Sequence, residues 1–371
     1  MYYCKGQIYF WRISNICCPS NVCICGRHKV IRMNQLRQIL LLATGMILLV
    51  SASCRKKEYK VLPSNTPTDN TAIVAALNSL KSSTQTYDVT VGVYTEIRLS
   101  QGTKLKFYPY SFKDAKNNIL TSGVVQVSVR EVYGPGAGIV NRLANMSGNL
   151  LLKNGGGIYI TGQMNGSDVN VNKYGVCFLA ATHSDDPMAL YYGTTGYEDS
   201  MTRWMRVGNM TGTAVQGTIL DTQAVYYVDT SGTHVDTASI MRNYNQFDSV
   251  GAWGWIGCHY PYASSNTLTD INVIPNDETF NATNTAVFLV LPEVKIVIPV
   301  TDYNTTTHSF SLPTGYDVPA DLIADLVVLS YKDGKLYYWQ QTNFNIGMNM
   351  SYGTALREYT PNEILNMLYV L

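Results

Sequence analysis

The chain has 371 residues, with 27 Lys and Arg against 26 Asp and Glu, and only 14% of its residues are charged. That balance lacks the basic excess that binds nucleic acid, and the length suffices for about two domains with cores of their own. Tyrosine outnumbers phenylalanine 27 to 9, a mixture suited to the half-exposed strands of exported β-sheet proteins.

Residues 1–32 stand apart from the rest. They hold five of the eight cysteines: Cys4, Cys17, Cys18, Cys23 and Cys25. Cys17-Cys18, Cys23-x-Cys25 and His28 invite a zinc reading, but structural zinc sites pair their ligands at short fixed spacings and no second such pair follows. The plainer expectation is translated upstream sequence before a true start at Met33, because a signal peptide works from the N-terminus.

Residues 33–54 read as a lipoprotein signal peptide. Arg37 supplies the positive n-region, Ile39 to Val50 are uninterruptedly apolar or small, and Ser51-Ala52-Ser53 lead into Cys54. The apolar run is of signal length and short of the ~20 residues that span a bilayer. Small residues before a cysteine suit a lipoprotein signal peptidase, so Cys54 is the expected lipidation site. Two or three acyl chains there would make a durable anchor, since one chain alone binds only marginally. An ordinary cleaved signal or a short membrane anchor is the competing reading. The expected membrane partner is reached through the lipid, and the expected location is the cell envelope, at the periplasmic or surface face of an outer membrane.

Residues 55–85 follow as a tether and a short helix. Arg55-Lys56-Lys57 sits beside the lipid, and Pro63 and Pro67 keep the segment extended. Asp69 is placed to cap a helix carrying Ile73, Leu77 and Leu80 on one face.

From residue 86 the period changes to two. Val89, Val91 and Val93 alternate with polar or small residues, as do Ile97 and Leu99, then Leu105 and Phe107. Val125, Val127 and Val129 face one way while Gln126, Ser128 and Arg130 face the other, which marks a sheet with one buried face. Asn165-Gly166 fits a two-residue hairpin turn. Residues 86–172 therefore read as one antiparallel, immunoglobulin-like β-sandwich. Residues 173–371 read as a second β-rich domain with a possible seam near 280. Asp333-Gly334 marks another hairpin there, and Thr360-Pro361-Asn362-Glu363 forms a capping box opening a terminal helix. The expected fold class is all-β: two or three antiparallel β-sandwich domains in tandem, with a short helix after the tether and a short C-terminal helix.

Three runs carry a resemblance: Gly102-Thr-Lys-Leu-Lys-Phe-Tyr-Pro-Tyr-Ser-Phe, Gly123-Val-Val-Gln-Val-Ser-Val-Arg-Glu-Val-Tyr, and Leu151-Leu-Lys-Asn-Gly-Gly-Gly-Ile-Tyr-Ile. They resemble the N-terminal sandwich of cell-envelope lipoproteins from Bacteroidetes-type bacteria, a family with no settled activity. Trp253-Gly254-Trp255-Ile256-Gly257-Cys258 resembles a later Trp-x-Asn-Cys-Asp element of those proteins. Here Gly257 and His259 replace the Asn and Asp, so a site built on them would be missing. The resemblance supports location and architecture and implies nothing catalytic. It also implies O-glycosylation at Asp-Ser/Thr followed by a small or apolar residue, which points to Ser200, Thr237 and Ser249 in expected exposed loops.

No catalytic, cofactor or metal constellation emerges. There is no nucleophile elbow, no His-Glu-x-x-His and no phosphate loop, since Gly155-Gly156-Gly157 lacks the following Lys. His183-Ser184-Asp185-Asp186 is the densest polar cluster and reads as a solvated turn before Pro187. Asp270, Asn272, Asn276 and Asp277 offer oxygens without the spacing of a calcium loop. Tyr191, Tyr192, Tyr197 and Trp204, or Trp253, Trp255 and Tyr260, could stack on sugar rings, although strand aromatics more often fill cores. Cys177 and Cys258 read as buried free thiols, with a disulfide between them as the alternative. The expected function is a non-enzymatic binding or structural module of the envelope, with a glycan or protein as ligand. The alternative is an exported hydrolase or glycan-binding protein acting on polysaccharide.

Overall fold

The computed structural model describes residues 70–181, 186–195, 201–211, 213–217, 225–229, 232–236 and 242–371. The expectations for residues 1–32, for the signal and Cys54, and for Asp69, Tyr197, Ser200 and Thr237 lie outside them. So do His183, Ser184 and Asp185.

Eleven strands form the main paths of the two sheets of the first body. In chain order they are β1 (Gln85–Thr90), β2 (Thr95–Arg98), β3 (Lys104–Phe107), β4 (Val124–Val132), β5 (Leu150–Met164) and β6 (Val176–Ala181). Then come β7 (Ala189–Thr194), β8 (Arg203–Thr211), β9 (Thr213–Gly217), β10 (Arg242–Val250) and β11 (Gly254–Pro261). One sheet runs β1-β4-β5-β11-β7-β8, and the other runs β9-β10-β6-β3-β2. Their facing residues make one core: Val89, Val125, Val127, Val129, Ile158, Ile160 and Ile256 from the first sheet meet Ile97, Leu105, Phe107, Val176, Phe178 and Phe247 from the second. Two antiparallel sheets packed over a shared apolar layer define a β-sandwich. Alternation along β4 holds as expected, with Val125, Val127 and Val129 all 0% exposed and Val124 49% exposed. Val93 departs from it at 52% exposed, because β1 ends at Thr90 and the chain turns.

The expected boundary at residue 172 cuts through both sheets. β6 pairs with β3, placing Phe178 opposite Leu105, and β11 pairs with β5, placing Trp255 opposite Tyr159. Strands from the later half thus complete sheets begun in the earlier one, and the sandwich runs to Pro261. Local alternation reveals a strand's buried face and leaves its partner open, so residues 86–172 do not disclose the later strands that complete their sheets.

The second body follows, with its changeover earlier than residue 280. Its five-stranded sheet contains β12 (Thr285–Leu291), β13 (Ile296–Pro299), β14 (Ile323–Lys332), β15 (Lys335–Asn345) and β16 (Arg357–Tyr359), ordered β13-β12-β14-β15-β16. A four-stranded sheet shares its core through Ile271, Val273, Phe310 and Tyr352. There Ile271–Ile274 runs parallel to Met350–Gly353, an exception to the antiparallel rule. Leu326, Val327, Val328 and Leu329 are each 0% exposed, so β14 is buried on both faces and its sequence reads as a continuous apolar run.

Helices complete this second core. They are α1 (Thr71–Ser79), α2 (Pro135–Val140) and α3 (Pro361–Tyr369). Ile73, Leu77 and Leu80 point inward as their spacing predicts, but into the core of the second body, with α1 packed on β14. Asn70 occupies the N-cap position. The capping box of α3 forms: Glu363 N–H donates to the Thr360 hydroxyl, and Thr360 N–H donates to Glu363 Oε2 at 2.8 Å. Both two-residue hairpins form as well, with Asn165-Gly166 and Asp333-Gly334 all at positive φ between paired strands. The described residues belong to one compact unit, and among them no helix is long and apolar enough to cross a membrane.

Candidate functional site

The aromatics expected to face sugars mostly face inward. Tyr191, Trp204 and Trp255 are 1%, 3% and 9% exposed and cluster with Val132, Leu143, Leu152 and Ala189. They lie on the face of the first sheet that is turned away from the sandwich core. That face is packed against Leu143 and against Ala137 of the helix Pro135–Val140, so the platform reading fails for these three. Tyr192 is half-buried, and its hydroxyl accepts from Gly251 N–H at 2.7 Å. Trp253 is half-buried too, with Nε1 donating to the Val169 carbonyl. Burial serves each ring better than stacking on a ligand, because a buried Tyr or Trp contributes a large apolar area while its polar end finds a partner.

His259 sits at the centre of this cluster, 1% exposed. Its ring lies 4.4 Å from that of Trp204 and 5.5 Å from that of Tyr191. Gly257 makes the room: a Cβ there would come within 2.3 Å of His259 Nε2 and 2.7 Å of the Trp204 ring. Nε1 of Trp204 makes no hydrogen bond among the described residues, and the backbone of Lys153 is the polar group that acts on the His259 imidazole. Burial pushes the imidazole down to about 3, against a smaller opposing pull from the Lys153 backbone. A neutral imidazole in an apolar wedge has no acid-base partner, so this is packing chemistry.

Other polar groups are likewise engaged. Glu131, 2% exposed, accepts from Gln101 N–H at 2.7 Å, Thr103 N–H at 3.1 Å, the Ser100 hydroxyl at 3.2 Å and Gln85 Nε2 at 3.1 Å. A buried carboxylate ringed by donors fixes the loop between β2 and β3. Lys153 and Asp186 pair at 3.0 Å. The oxygens weighed for calcium do not converge: Asp270 accepts from Ile271 N–H, Asn276 from Leu356 N–H and Asp277 from Thr279 N–H. Among the described residues no group of three or more His, Cys, Asp or Glu could hold a metal.

Both cysteines are free and buried. Cys258 belongs to the sandwich core, whereas Cys177 lies on the opposite face of its sheet with Leu179 under Tyr108. Burial, reinforced by Asp248, pushes the Cys177 thiol up to about 12, and burial raises Cys258 further. Ser249 lies inside β10 and not in a loop. It is half-buried, and its hydroxyl donates to the Lys173 carbonyl at 2.7 Å.

One aromatic array faces outward, and composition alone did not single it out. Tyr94 and Tyr108 lie opposite each other one step beyond the Thr95–Phe107 pair of β2 and β3. Their ring centroids are 5.8 Å apart, and Tyr108 stacks on Tyr110 at 6.1 Å with planes 13° apart. Tyr94 and Tyr110 are 50% and 45% exposed. The hydroxyl of Tyr94 donates to Glu96 Oε2 at 3.3 Å, and Asp248 accepts from Gln246 Nε2 and from the Cys177 thiol on the same sheet face. The signal was present in the register. Ile97 opposite Leu105 and Thr95 opposite Phe107 set Tyr94 opposite Tyr108.

The chain matches no protein-family model, and no curated protein matches it.

Proposed function

We propose that the chain is an exported lipoprotein, held in the cell envelope through an acylated Cys54, whose β body serves as a non-enzymatic binding or structural module. The observation that carries this reading is the segment from Arg37 to Cys54. It pairs an apolar run of signal length with small residues immediately before a cysteine. The body is consistent with it. Glu131 organises a loop and His259 is neutral in a hydrophobic wedge, so these two buried ionisable groups serve the fold, and the half-buried Lys153 is paired with Asp186.

Detergent-phase partition and acyl-chain labelling of the full chain and of Cys54→Ala test the reading. The wild type should enter the detergent phase and take up labelled fatty acid, while the variant should stay aqueous or unprocessed and unlabelled. A Cys54→Ala protein still wholly bound to membranes would overturn the anchor.

A further inference from the structure

We propose that Tyr94, Tyr108 and Tyr110 form a binding platform for a neutral polysaccharide on the outer face of the β9-β10-β6-β3-β2 sheet. This names a ligand class for the module proposed above and rests on that reading.

The platform is rigid. Tyr108 is seated over Cys177 and Leu179, with its N–H donating to the Gly175 carbonyl; Tyr94, tied to Glu96, directly precedes β2, and Tyr110 sits in the turn after β3, where its carbonyl accepts from Asn172 Nδ2 at 3.0 Å. Rings anchored beside a strand pair and in a hydrogen-bonded turn lose little conformational freedom when a ligand arrives, and tyrosine contributes apolar faces with a hydrogen-bonding rim. Three rings in a row at 5.8 and 6.1 Å match a ligand that is itself a row of small apolar faces edged with hydroxyls.

Charge and area narrow the occupant. Glu96 and Asp248 lie on the same sheet face as Lys106, so the surroundings carry both signs. A nucleic acid or an anionic lipid surface selects a face of one sign, whereas uncharged hydroxyls can use carboxylates and an ammonium alike. Three half-exposed tyrosines offer roughly 300 Å², taking about half of the area each ring buries in a core. A specific protein partner needs about 800 Å² per side. A polysaccharide chain lying along the rings needs no more than the row provides.

The test is native affinity electrophoresis of the full lipoprotein in detergent, through gels cast with laminarin, lichenan, galactomannan, soluble starch or dextran. A gel cast with polygalacturonate supplies the anionic comparison. At least one neutral polysaccharide should retard the wild type, and the double variant Tyr94→Ala, Tyr110→Ala should bind it about tenfold more weakly. The corresponding Phe variants should keep most of the affinity, because the ring face and not the hydroxyl makes the contact. Tyr174→Ala, which removes an exposed tyrosine outside the row, should leave retardation unchanged. No retardation in any neutral gel, retardation by polygalacturonate alone, or equal retardation of the double Ala variant would each overturn the platform. The anchor is tested separately through Cys54, so a protein that partitions with detergent yet ignores every neutral gel would lose the platform and keep the anchor.

Discussion

Asn145 and Val297 exchange two hydrogen bonds: Asn145 N–H donates to the Val297 carbonyl, and Val297 N–H donates to Asn145 Oδ1, both at 2.9 Å. Asn145 also accepts from Leu152 N–H at 2.9 Å. The Asn145 side chain thereby satisfies the buried edge strand β13 of the second body, while its main chain ties that strand to β5 of the sandwich. Both residues are almost wholly buried, at 2% and 0% exposed. Asn145→Ala leaves the Val297 N–H without a partner in a dry site, which costs about 1–3 kcal/mol. Chemical denaturation should show a lower midpoint with the slope unchanged. A variant as stable as the wild type would show that water replaces the amide there.

Stability should fall as the solution is acidified, beginning near pH 6.5. His259 has a folded value of about 3 against an ordinary value of 6.5, so the unfolded chain binds a proton between those limits and the folded chain does not. Stability from this group is therefore fully present above the unfolded value. It is lost as pH falls below it, by roughly tenfold in the folding equilibrium per pH unit. His259→Phe removes the proton site while keeping a flat ring, so its stability should be flatter between pH 6.5 and 5. Urea titrations at several pH values read this directly. Parallel slopes for the two proteins would mean that other groups govern the acid limb.

Neither Cys177 nor Cys258 should react with a thiol reagent in the folded protein, since both are buried and the thiolate is the reactive species. With the thiols raised in this way, peptide mapping after native alkylation should find both peptides unmodified. Alkylation in denaturant without reductant should label both. Labelling that requires reductant would mean the two are paired after all.

What the residues disclosed follows the range of the forces involved. The alternation of Val125, Val127 and Val129, the turns at Asn165-Gly166 and Asp333-Gly334, and the capping box at Thr360 are local, and all formed as read. Partner choice is not local. Nothing in Val176–Ala181 says that it pairs with Lys104–Phe107, and nothing in Thr71–Ser79 says that it packs on a strand beginning at Ile323. The same limit misled the aromatic reading. A tyrosine on a sheet's second face has the same sequence pattern whether that face meets water, as at Tyr94, or α2, as at Tyr191. Gly136 shows how specific that packing is: a Cβ there would come within 1.9 Å of the Leu368 carbonyl, so the close approach of α2 to α3 requires glycine.

Modification is the last expectation that the fold now sharpens. Of the three Asp-Ser/Thr sites, Ser249 lies within β10, in the irregular stretch beside β6 between Phe247 and Val250, and its hydroxyl is committed to the Lys173 carbonyl at 2.7 Å. A glycan on that oxygen would replace the donated hydrogen and force a bulky, hydrated group against a half-buried strand position. Ser249 should therefore be unmodified in native protein, and any O-glycan of this sequence type should be carried by Ser200 or Thr237. Ser249→Ala should lose only the single hydrogen bond, at about 0.5–1.5 kcal/mol, and should leave the intact mass unchanged apart from the substituted oxygen. Ser200→Ala and Thr237→Ala should each remove glycan mass if their site is occupied. Peptide mapping of protein purified from its native envelope decides the matter, and a glycopeptide containing Ser249 would contradict the reading of β10 as closed to modification.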